Sequence, residues 1–162
     1  MADSPIAENG DIVTIEITSE GSKIKDYYEV KSIRIRNYVN KVPRATLVLF
    51  DGNPASQKFE ISDASDFEPG KEIEIKLGYG SKNTSVFKGV VVNHGLTIDE
   101  DQYPCMEIEI KDKTQKMTIG RKNAYFKEKK DSDVISSLIS DAGLSADVSA
   151  CLLYTSPSPR DA

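Results

Sequence analysis

The sequence predicts a mainly β fold, a small antiparallel β-barrel or sandwich with one α-helix near its C-terminus. Three observations carry this. Short apolar runs alternate with polar residues at a period of two, the mark of half-buried strands. Turn signals such as Asp51-Gly-Asn-Pro54, Pro69-Gly70 and Gly78-Tyr-Gly80 separate them. Only one stretch, late in the chain, has helical spacing.

Element by element, Val13, Ile15 and Ile17 alternate with Thr14, Glu16 and Thr18 and give a first strand, broken at Gly21-Ser22. Ile33 and Ile35 alternate with Ser32, Arg34 and Arg36 in a second. Ala45 to Phe50 is apolar on both faces, so both faces of this strand are expected to be covered. Ile73, Ile75 and Leu77 alternate with Glu72, Glu74 and Lys76 in a fourth strand. It leads through a hairpin into Val86 to Val92, whose Gly89 marks a bulge or a sharp bend at a barrel corner. Met106, Ile108 and Ile110, between Glu107 and Glu109, make the sixth. The core is expected to hold Val13, Ile15, Leu47, Leu49, Ile73, Ile75, Leu77, Val90, Ile108 and Ile110. A helix is expected near 133–142, with Ser132 as N-cap, Val134, Ile135, Leu138, Ile139 and Ala142 on one face, and Gly143 as its stop.

Composition narrows the function. The 162 residues are 38% hydrophobic, enough for a core, and no run approaches the ~20 apolar residues of a membrane helix. The first ten residues lack the basic and apolar regions of a signal peptide, so cytoplasmic assembly without a cleaved leader is expected, with no stable membrane insertion. Net charge is −5, which argues against nucleic acid as a partner. A basic segment, Lys111, Lys113, Lys116, Arg121, Lys122, Lys127, Lys129 and Lys130, nevertheless carries a net +6 over 111–130. It has two readings: a surface for an anionic partner, or a solvated segment that balances the acidic remainder. Tyr125-Phe126 within it could stack on bases or anchor a loop.

The catalytic inventory is thin. There is one histidine, His94, at a strand end, and no GxSxG, HExxH, P-loop or GxGxxG. Cys105 and Cys151 make no disulfide framework, and with His94 they fall short of the four ligands of a zinc site. Carboxylates at Asp99, Glu100, Asp101, Glu107 and Glu109 are plentiful, with none singled out as an acid–base pair. Asn83-Thr-Ser85 fits a glycosylation sequon and reads more simply as a polar turn. No catalysis, cofactor or metal is expected.

The segment Phe67-Glu-Pro-Gly70-Lys-Glu-Ile-Glu-Ile75-Lys-Leu-Gly-Tyr79, followed by Val86-Phe87-Lys-Gly89-Val-Val, is similar to the N-terminal barrel of VgrG proteins. These are the tip proteins of type VI secretion systems and relatives of phage tail baseplate hub proteins and late control protein D. Glu29 to Ile33, Val39 to Gly52, Lys111 to Lys122 and Lys130 to Ile135 agree in order and spacing, so the resemblance spans about residues 10–149. It implies a structural hub linking an inner tube to a spike, trimeric when full length. The expected partners are a hexameric inner-tube protein, baseplate proteins and effectors carried by C-terminal parts, on a tip injected across an envelope. Alternatives are a phage tail baseplate hub or a free-standing ligand-binding β-barrel. The expected domain limits are a flexible N-terminus (1–11), the hub-like barrel with its helix (12–149), and a non-native or disordered tail (150–162). The last residues, from Cys151, resemble translated adaptor read-through on a truncated chain. Because a closed barrel uses only one face of Ala45–Phe50, the other, Thr46, Val48 and Phe50, is the expected protomer interface.

Overall fold

Alternating β-branched and polar residues build the first strand, β1 (Val13–Ser19), which turns back through Glu20 and Gly21 into the two-residue β2 (Ser22–Lys23). The further strands are β3 (Val30–Arg36), β4 (Arg44–Phe50), β5 (Glu72–Tyr79), β6 (Lys82–Ile98) and β7 (Pro104–Lys111), followed by one helix, α1 (Asp131–Asp141). The structure, a computed structural model, describes residues 13–52, 58–79, 82–121, 123–127 and 129–150. The expected N-terminal segment 1–11, the tail with Cys151, and Lys122 lie outside them. The chain divides into two compact units, Met1–Asp112 and Lys113–Ala162.

In the first unit all neighbouring strands are antiparallel, in the order β2-β1-β5-β6-β7-β4-β3. The expected mainly β, antiparallel class is therefore observed, but the hydrogen-bonded ladder does not close into a barrel. Its two ends are joined through a short 3-10 turn, Ser65–Phe67, instead. Ser19 at the end of β1 donates Oγ–H to the Asp66 carbonyl at 2.6 Å. Tyr28, just before β3, donates its hydroxyl to Asp66 Oδ2 at 2.8 Å. The neighbouring Phe67 side chain is fully buried, with its ring 6.1 Å from that of Tyr28. The turn thus does the joining that strand pairing would do in a closed barrel.

Strand β6 is 17 residues long because it serves two neighbours, β5 with its first half and β7 with its second. The changeover falls at Gly89, opposite Ile73, where a Cβ would meet the Lys111 carbonyl oxygen at 2.5 Å. Only glycine permits that approach, as the sharp-bend reading of Gly89 requires. Two bulges flank it, with Val86 and Val92 as the extra residues. The inward set is accordingly Phe87, Gly89 and Val91, and the expected core residue Val90 faces outward, half-buried. Lys88, in the same alternating set as Val90, is exposed.

The core holds Ile17, Leu47, Leu49, Ile73, Ile75, Met106, Ile108 and Ile110 as one cluster with Ile61 and Phe67 from the β4–β5 connection. That connection is pinned by a buried carboxylate. Asp51 Oδ1 accepts the Gly52 and Ile61 N–H groups at 2.8 and 3.1 Å, and Oδ2 accepts that of Ser62 at 2.9 Å. Val13 and Ile15, expected in the core, are 55% and 44% exposed, and Leu77 is half-buried. Val13 pairs with Tyr79 at the C-terminal end of β5, and both side chains are exposed there.

In the second unit, α1 starts earlier than expected. Lys130 is its N-cap, without a side-chain bond, and Ser132 lies buried in the first turn. The reason is that the Lys130 carbonyl already accepts the Asp133 and Val134 N–H groups. The stop is as expected: Gly143 has φ of 72°, its N–H bonds the Ser140 carbonyl, and Leu144 N–H bonds that of Ile139. On the expected apolar face Ile135 and Leu138 are exposed, while Val134 and Ile139 are half-buried.

Candidate functional site: an arginine-lined groove on the outer face

Two chemically capable side chains of the first unit are used structurally. His94 follows the Val92 bulge, which turns it to the inner side opposite Ile108, and Nδ1 lies 2.9 Å from the Phe67 carbonyl oxygen. Cys105 is fully buried and its thiol is pushed up by burial. Asn83, of the sequon, accepts a hydrogen bond from Thr14 Oγ1. No group of three or more His, Cys, Asp or Glu among the described residues could hold a metal ion.

The outer face of β3-β4-β7-β6 carries a groove of 490 Å³ that runs into a neighbouring depression of 470 Å³, the two sharing Arg34, Thr46, Thr97 and Glu107. The register builds it row by row. Arg36 faces Arg44, and Arg44 faces Lys111. In the next row Arg34 faces Thr46, Thr46 faces Glu109, and Glu109 faces Asn93. Then come Ser32, Val48, Glu107 and Gly95. At the far end Lys31 bonds Asp99 and lies 5.5 Å from the Phe50 ring centre, and Phe50 meets Tyr103 edge to face at 6.1 Å. Asp99 is held below the usual carboxylate range by that lysine and by the Tyr103 N–H.

The expected interface residues Thr46, Val48 and Phe50 thus share the outer face, half-buried. They do not form one apolar patch, because charged side chains of β3 and β7 interleave with them. Of the expected basic segment, Lys111 belongs to this face and lies 3.5 Å from Glu109. Lys113, Lys116, Arg121, Lys127, Lys129 and Lys130 belong to the second unit and are exposed. In that unit the Lys129 amine lies 5.7 Å from the Phe126 ring centre. Arg34, Arg36 and Arg44 are the groove residues that reading the sequence missed. The available signal was arginine alternating through β3 and recurring at the start of β4, but their meeting depends on the β3–β4 register. Among the described residues none of the three pairs with a carboxylate.

The chain is similar to a solved 43 kDa tail protein of prophage MuSo2 from Shewanella oneidensis, with a TM-score of 0.57 at 14% identity, over 87% of this chain and 42% of that one. It therefore spans less than half the length of that relative, and at this identity the likeness establishes the fold. Residues 9–156 match the family described as the Alg8 N-terminal domain, and the chain belongs to that family. No curated protein matches. The resemblance to VgrG barrels is met at the level of a phage-tail fold, while the matching family is the Alg8 N-terminal domain.

Proposed function

We propose that this chain is a non-catalytic structural module of a phage-tail-like injection machine, a hub or tip component of the type VI kind. The observation that carries the reading is the likeness to a prophage tail protein over 87% of the chain. The commitment of His94 and Cys105 to internal structure supports it, since the two side chains best suited to chemistry are occupied. In this reading the module assembles in the cytoplasm, joins copies of itself into a trimer when further domains are present, and contacts a hexameric inner tube and the baseplate. The assembled tip is then injected across an envelope with its effectors.

Native mass spectrometry tests it on two forms, the chain alone and the chain extended by the second barrel that hub proteins carry. The expected result is a monomer for the first and a trimer that binds tube protein for the second. An extended form that stays monomeric at tens of micromolar and ignores tube protein overturns the reading.

A further inference from the structure

We propose that the outer-face groove takes an extended acidic segment of a partner polypeptide, held by Arg34, Arg36 and Arg44. The inference stands independently of the assembly reading. Its first support is the charge row itself. Arg36 and Arg44 are directly opposite, Lys111 follows, and like charges opposed across strands destabilise a sheet. The lysines of the sheet are answered: Lys76 by Glu16 at 2.9 Å and Lys88 by Glu72 at 2.7 Å at its other end, and Lys31 by Asp99 and Lys111 by Glu109 on this face. In a chain of net charge −5, the three guanidinium groups form no ion pair among the described residues, and a bound acidic segment would supply one. Guanidinium forks grip carboxylates in a bidentate manner, and such pairs are stronger than neutral hydrogen bonds.

The second support is shape. From Lys31 to Arg36 the groove wall runs roughly 17 Å at ~3.3 Å per residue, room for about five residues of extended chain. The third is the floor, where Glu107 and Glu109 face outward from β7 beneath the arginines. A phosphate backbone, charged at every nucleotide, would be pressed against those carboxylates. A polypeptide can offer carboxylates to the arginines and N–H groups to the glutamates.

Fluorescence anisotropy on the whole chain tests this with three labelled probes: a peptide of alternating Glu and Ser about ten residues long, its Gln counterpart, and an oligo-dT of similar length. The acidic peptide is expected to bind saturably and to weaken with added salt. Combined Arg34→Ala, Arg36→Ala and Arg44→Ala should weaken it about tenfold or more, and Lys76→Ala with Lys88→Ala should leave it unchanged. Arg36→Ala alone, in a chain of unchanged circular dichroism, should show part of the loss and covers the case where the triple variant misfolds. The proposal is overturned by no saturable binding, by equal binding of the Gln peptide, by arginine variants that bind like the parent, or by tighter binding of the oligonucleotide.

Discussion

The two halves of the sheet treat charge in opposite ways. On β1, β5 and the first half of β6, outward cations meet carboxylates across the strands, as Lys76 meets Glu16 and Lys88 meets Glu72. Glu16 shifts down through its bond to Lys76, and Lys76 and Lys88 shift up through theirs. On β3, β4 and β7, Arg36 faces Arg44 beside Lys111. One sequence, on one continuous ladder, pairs its outward lysines with carboxylates, yet at the β3–β4 end leaves Arg34, Arg36 and Arg44 without an ion pair among the described residues. In the proposal above, those arginines are the groups that an acidic partner segment would meet.

The largest effect expected from breaking this comparison lies under the first half. Ile75 is fully buried on β5, and Ile75→Ala should cost about 2–5 kcal/mol through lost burial and a cavity. On the outer face of the second half, Val48→Ala should cost about 1 kcal/mol or less, both read from urea melts. Asp51→Ala comes next. It strips the buried Ile61 N–H of its acceptor and frees that of Ser62, so a loss of about 2–3 kcal/mol is expected, with earlier proteolysis of the β4–β5 connection. Gly89→Ala forces a Cβ against the Lys111 carbonyl where the halves meet and should cost about 1–3 kcal/mol.

Tyr28→Phe is smaller, about 1 kcal/mol for the lost bond to Asp66. It also carries a pH signature. Burial, and then the bond to Asp66, raise the Tyr28 phenol above its ordinary value. A raised folded value means full stability below the unfolded phenol's ~10 and progressive loss as pH climbs through the folded value. Melting midpoints above pH ~10 should therefore fall less steeply in Tyr28→Phe than in the parent.

Much of the fold was legible in the sequence because alternation on β4, β5 and β7 follows the pleat without interruption. Leu47, Leu49, Ile73, Ile75, Ile108 and Ile110 all face the core as the pattern requires. Reading failed where long-range geometry overrules local pattern. Val90 was misplaced because Val86, Val90 and Val92 look like one face, although Phe87 and Lys88 already pointed to the other set. Val13 and Ile15 have the right alternation, but which stretch of a strand is roofed depends on where Ile61 and Phe67 land. Closure was misjudged for a similar reason, since nothing local in Asp66 says it will bond both Ser19 and Tyr28. Of the site, Thr46 and Val48 were placed on the right face. The arginines were not seen, because a like-charge row exists only once the β3–β4 register is known.

The comparison is tested most directly by reversing one charge in each half and melting both variants at low salt. Arg36→Glu places a carboxylate opposite Arg44, and the account expects its midpoint to rise, by up to about 1 kcal/mol of stability. Lys76→Glu places a carboxylate beside Glu16 and Glu74, and its midpoint should fall, less so at high salt. Opposite signs are the expected result. A fall in both variants would contradict the account, because it would show that Arg36 is already satisfied within the fold.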